Sequence, residues 1–210
     1  MTKGASTLDK ILQYSKWEFL QNGFKNASLR NIAAEAGLTT GAIYGYFKDK
    51  NAIFETLVAS AAEQVEKIFP TLSRSNCHHG DFISEKDIQK NLDALRRIYH
   101  FIYENLDEFR LLFCCAEGSS KANFVHTIVD HEVTRTIAAL EQIKTQRDLD
   151  FQIDKTTIHI ISDSYINALL EPIRHNMDRA TAMINVELLG RFYTAGWKHI
   201  LRFTTDKSLT

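Results

Sequence analysis

The sequence predicts an all-α protein of about nine helices, and three observations carry that reading. Only two prolines, Pro70 and Pro172, interrupt the 210 residues. Proline removes a backbone donor and breaks helix interiors, so long helices are undisturbed almost everywhere. Apolar residues recur at the 3.6-residue period of a helix with one buried face. Finally, Ser28, Thr39 and Asp107 stand where helices should begin, and Gly23, Gly37 and Gly118 stand where they should end.

The elements follow in order. Leu8, Ile11, Leu12, Ser15 and Phe19 lie on one face of a helix over 8–21, which Gly23 ends. Ser28 caps a short second helix with Leu29, Ile32, Ala33 and Ala36, and Gly37 closes it. Thr39 caps a third over 40–47. Longer helices are expected over 52–69, where Pro70 stops the chain, and over 87–105. Asp107 should cap a short helix ending near Glu117. Further helices are expected over 121–146, 155–177 and 178–203, with Pro172 kinking its helix or marking its last turns. Residues 71–86 read as a polar loop and RDLDFQID as a connection. The boundary between a small N-terminal domain, 1–50, and a larger helical one, 51–210, falls where short helices give way to long ones.

One stretch fits poorly with core helices. LTTGAIYGYFKDK, Leu38–Lys50, crowds glycines, threonines, tyrosines and lysines together. Glycine costs a helix about 1 kcal/mol against alanine. Two short helices joined by a glycine-containing turn form a helix-turn-helix signature. A recognition helix must enter a DNA major groove about 12 Å wide, where small residues admit the backbone and hydroxyls and lysines around them reach phosphate. The composition that weakens a core helix suits that task.

The segment Ile11–Leu57 resembles the N-terminal domain of the tetracycline-repressor (TetR/AcrR) family. The marks are Phe19, Gly23, Ser28, the run Ile32, Ala33, Ala36 and Gly37, then Gly41, Tyr44, Phe47 and Lys50. The resemblance implies a three-helix DNA-binding domain, a larger ligand-binding and dimerisation domain, and a homodimeric transcriptional regulator, usually a repressor released from a palindromic operator by a small molecule. Carried over by position, Ser28 and Arg30 would touch phosphate; Thr39, Thr40, Gly41 and Ala42 would face base edges; Tyr44, Tyr46 and Lys48 would hold the DNA backbone.

Net charge is −1 overall. Through Glu55 seven basic side chains stand against five acidic ones, +2, leaving −3 for the remainder. That asymmetry is weak. The N-terminus has no apolar leader run and no stretch is long enough to span a membrane, so a cytoplasmic, reduced setting without a membrane partner is expected. Three cysteines make no disulfide framework. Cys77-His78-His79 lacks zinc-ligand spacing and reads as a solvated loop, and Cys114-Cys115 reads as helix packing. The histidines at 100, 126, 131, 159, 175 and 199 are scattered; Asp130 lies one turn from His126 and can pair with it. No catalytic motif occurs, so no enzyme activity, cofactor or metal is expected.

In the larger domain Tyr103, Phe113, His126, Asp130 and Tyr165 are the candidates for lining an effector pocket, since helical bundles build ligand sites between helices. The last two helices are more apolar than one contact needs. Ile161, Leu169, Leu188, Phe192, Ala195 and Gly196 are the candidates for a four-helix interface between two copies. Two heads must then reach half-sites about 34–36 Å apart, and a ligand favouring a wider spacing weakens DNA binding by linkage. A bundle enzyme would need convergent carboxylates and histidines, which are lacking. A DNA-binding regulator governed by a protein partner fits the same residues.

Overall fold

A computed structural model describes residues 6–68, 85–147 and 153–205. Among them are nine helices and no strand: α1 Thr7–Asn26, α2 Leu29–Glu35, α3 Thr40–Tyr44, α4 Lys50–Ile68, α5 Glu85–Glu104, α6 Leu106–Cys114, α7 Phe124–Arg147, α8 Lys155–Arg174 and α9 Arg179–Thr205. The expected stop at Pro70, the Cys77-His78-His79 loop and most of RDLDFQID lie outside the described residues.

The boundaries depart from expectation for local reasons. Helix α1 runs on past Gln21 because Gly23, at φ 70°, bends the chain and lets it resume. Helix α3 stops at Tyr44, three residues short of Phe47. Asp107 is not the cap of α6: Asn105 occupies that position without a side-chain bond, and Asp107 sits in the first turn, where its charge favours the helix dipole. Pro172 lies inside α8, which ends two residues later at Arg174 and not at Met177, with Asn176 turning at φ 52°. Side-chain caps at Ser6, Ser28, Thr39 and Asp154 start α1, α2, α3 and α8.

Two packing units form. The first holds the described residues through Glu66 together with Asn105–Val125. Its core contains Ile11, Phe19, Phe24, Ile32, Ile43 and Phe54, all essentially buried. Phe19, Phe24 and Phe54 form a triangle with centroids 5.2–5.7 Å apart, a geometry that contributes roughly 1 kcal/mol per pair beyond burial. The turn after α6 is stapled to two helices. Phe24 N donates to Cys115 O (2.8 Å), and Ser120 donates from N to Asn51 (2.8 Å) and from Oγ to Glu55 (2.7 Å). Gly118, at φ 84°, lies against Lys25. Those bonds explain why Asn105–Val125 belongs with the N-terminal helices.

The second unit holds Lys67–Glu104 and the chain from His126. Leu140, Ile143, Ile158 and Leu201 are buried together, with Trp197 packed on them. Helices α5 and α9 approach closely at Gly190, where an added Cβ would meet Leu92 at 2.9 Å and Leu95 at 3.1 Å.

Candidate nucleic-acid interface

Helices α2 and α3 divide cleanly into two faces. Ile32, Ala33 and Ile43 are at most 3% exposed and anchor both helices to the first unit's core. The opposite side carries Arg30, Thr39, Gly41, Tyr44, Tyr46 and Lys48, all exposed, with Ser28, Thr40 and Ala42 half-buried between them. Of the nine residues expected to meet DNA, none is buried. Tyr44 and Tyr46 are 55% and 52% exposed, unusual for large aromatic side chains with no internal partner.

The caps limit what two of these side chains offer. Ser28 Oγ accepts from Asn31 N (3.4 Å) and Thr39 Oγ1 accepts from Ala42 N (3.1 Å). Each hydroxyl proton stays available to an outside acceptor, as phosphate contact requires. Gly41 is informative in the other direction. Its backbone is ordinary helix, and an added Cβ would meet nothing closer than Thr39 Oγ1 at 3.8 Å. The fold does not require glycine at that position. Gly45 differs, since its Cβ would press on Ala42 O at 3.3 Å.

The pocket candidates are divided between the two units. Phe113 belongs to the first unit, between Phe109 (5.7 Å) and Phe124 (6.4 Å). His126 and Asp130 do pair, Nε2 to Oδ2 at 3.6 Å, but their side chains are 68% and 57% exposed. Their shared helical face is the solvent face of α7, because Ile128, Val129 and Glu132 point inward. Tyr103 and Tyr165 lie within the second unit. Tyr103 donates to Met177 O (2.9 Å), and the Tyr165 ring packs on Tyr193 at 4.8 Å. Burial holds the pKa of Tyr165 well above the usual phenol range.

Sequence reasoning missed the polar residues of that region. Glu132 is only 7% exposed and accepts from both Nε and Nη2 of Arg135. Their i, i+3 spacing is one that surface ion pairs share, so burial does not show in the sequence. Tyr99, one turn before Tyr103, is buried, stacks on Tyr103 and donates to Leu169 O.

Of the interface candidates, Leu188 and Phe192 are 61% and 70% exposed, Ala195 and Gly196 are exposed and Ile161 is half-buried. Leu169 is buried within its own unit. Ile184, exposed like Leu188 and Phe192 and spaced with them at i, i+4 and i+8, extends the apolar stripe. Gly196 has open space around it, and the glycine of close approach is Gly190.

Among the described residues no cluster of His, Cys, Asp and Glu could hold a metal ion, and no helix is long and apolar enough to cross a membrane.

Residues 11–57 match the family described as bacterial regulatory proteins, tetR family. The HTH-type transcriptional regulator YdgC of Bacillus subtilis is 28% identical over 53% of this chain, and the chain spans 55% of YdgC. The HTH-type transcriptional regulator SrpR of Pseudomonas putida is 25% identical over 89% of this chain and 84% of its own length. The crystal structure of SCO3833, a TetR-family member from Streptomyces coelicolor, shares the fold at TM-score 0.58 and 15% identity, over 91% of this chain and 92% of that one.

Proposed function

We propose that this chain, which belongs to the tetR family of bacterial regulatory proteins, is a sequence-specific DNA-binding transcriptional repressor, homodimeric and released from a palindromic operator by a small molecule. It is a binding protein and not an enzyme. The observation that carries the DNA-binding reading is Gly41, a helical glycine that no internal contact demands, at the centre of an exposed patch of hydroxyl, aromatic and cationic side chains. An absent side chain with no internal reason answers to something outside the chain, and a major groove asks for close backbone approach.

In this reading Thr39, Thr40, Gly41 and Ala42 face base edges, while Ser28, Arg30, Tyr44, Tyr46 and Lys48 hold phosphates. Residues 1–50 supply the DNA-binding domain and the rest the regulatory one. The α9 stripe of Ile184, Leu188 and Phe192, exposed in a single chain, is the surface a second copy covers. The tyrosines of the second unit, with buried Glu132 beside them, are where an effector gains both stacking and polar contacts. A cytoplasmic location follows from the DNA target.

The test is selection of bound duplexes from a random library, followed by footprinting. A palindrome with half-sites about one or two helical turns apart is expected. Recovery of no preferred sequence, with the purified protein folded, sinks the reading. The effector is sought by thermal melts against a metabolite and drug panel, where a ligand at 100 times its Kd adds about 2.7 kcal/mol.

A further inference from the structure

We propose that Lys50 and Glu18 are positioning residues that set the placement of α2, and through it α3, by exchanging hydrogen-bond partners at the broken end of α1; Lys50 is not a phosphate contact. The inference rests on the DNA-binding reading above.

The exchange can be followed atom by atom. Had α1 continued regularly, the Ser28 N–H would reach the carbonyl of Phe24, four residues back. The extended backbone of Ala27, at ψ 140°, prevents this. Ser28 N donates instead to Glu18 Oε1 at 3.0 Å, and the stranded Phe24 carbonyl accepts from Lys50 Nζ at 2.6 Å. The same ammonium also donates to Ala27 O at 2.9 Å and, more weakly, to Lys25 O at 3.4 Å, and sits 4.6 Å from the Phe24 ring centroid. Glu18 further accepts from Asn31 Nδ2 at 3.5 Å.

Both charges stand where ordinary rules disfavour them. Glu18 is 3% exposed within a largely apolar core. Lys50 is the first residue of α4, the end of a helix that repels cations. Burial lowers the Lys50 pKa, and the nearby Glu18 carboxylate opposes that shift. The pair compensates itself while joining α1, the N-cap of α2 and the start of α4. Ser28 is the hinge between α1 and α2, so holding its N–H fixes the direction in which α2 leaves.

The test uses the full-length protein, a duplex selected by the wild type and an unrelated duplex of equal length. The variants are Lys50→Met and Glu18→Gln, with the milder Lys50→Arg and Glu18→Asp in case the first two do not fold. Assays are run where melts show each variant folded. The expected result is a loss of about tenfold or more in affinity for the selected duplex for both Lys50→Met and Glu18→Gln, with binding to the unrelated duplex unchanged and partial recovery in Lys50→Arg. The slope of log affinity against log salt stays that of the wild type. A slope reduced by about 0.9 in Lys50→Met identifies a phosphate contact and overturns the proposal. Glu18→Gln removes a negative charge, so a charge effect alone tightens DNA binding; unchanged or tighter binding to the selected duplex also overturns it. If the wild type selects no sequence, the DNA-binding reading falls, and amide exchange over residues 24–31 decides: faster exchange in both variants upholds the positioning role, and unchanged rates end it.

Discussion

Gly41 in α3 and Gly190 in α9 are both helical glycines with ordinary backbone angles, yet their surroundings differ. At Gly190 two leucine methyls lie within 3.1 Å of where a Cβ would be. At Gly41 the nearest atom is 3.8 Å away. One glycine is explained from inside the protein and the other is not. The same test separates Phe54, fully buried against Phe19 and Phe24 in the first unit's core, from Phe192, a ring left 70% exposed. Residues whose identity the interior explains report on folding. Residues it leaves unexplained report on what the protein meets.

That division makes predictions of decreasing size. Gly190→Val should cost about 3 kcal/mol, because overpacking a tight helix contact forces both helices apart; denaturant titration measures it, and a loss below about 0.5 kcal/mol breaks the comparison at its inner end. Leu188→Glu combined with Phe192→Glu should convert a dimer to monomers in sedimentation, since each side chain forfeits about 2 kcal/mol of apolar burial and adds a charge. Unchanged sedimentation would remove the stripe from the interface. Gly41→Ala should raise stability by up to about 1 kcal/mol, as alanine is the better helix former. It should also weaken operator binding about tenfold, the cost of one poorly met base step. Parallel loss of both quantities would mean Gly41 is internal after all. Ser15→Ala should stabilise by roughly 1 kcal/mol by removing an unsatisfied buried hydroxyl.

The smallest effect concerns pH. The capping carboxylates Asp154 and Asp178 are held below their ordinary value of 3.8 by hydrogen bonds from Thr157 and Thr181. A depressed folded pKa means the stabilisation is present above 3.8 and is lost as pH falls through the lower folded value. Asp154→Asn, which still caps but does not titrate, should therefore flatten the decline in melting temperature below about pH 4.

What could be read from the sequence was local. Ser28 and Thr39 cap the helices they were expected to cap, because a cap depends on residues two or three positions away. The outward side of α3 follows from helical spacing once Ile43 is known to face inward. What could not be read depends on partners far along the chain. Gly190 is explained only by Leu92 and Leu95 on α5. Leu169 shares its apolar pattern with exposed neighbours, and only tertiary packing buries it. Lys50 carries part of the family resemblance, but its partners Phe24 and Ala27 lie across a bend that sequence periodicity does not show.

The first unit is discontinuous, and this bears on the birth of the protein at the ribosome. The turn at 115–120 that staples α1 to α4 is encoded well after both helices. At roughly 5–20 residues per second, the N-terminal helices emerge about 3–12 s before the segment that completes their packing. During translation the exposed patch of α2 and α3 therefore exists in outline before it is locked, and a nascent chain halted near residue 66 would carry both helices without the clasp between α1 and α4.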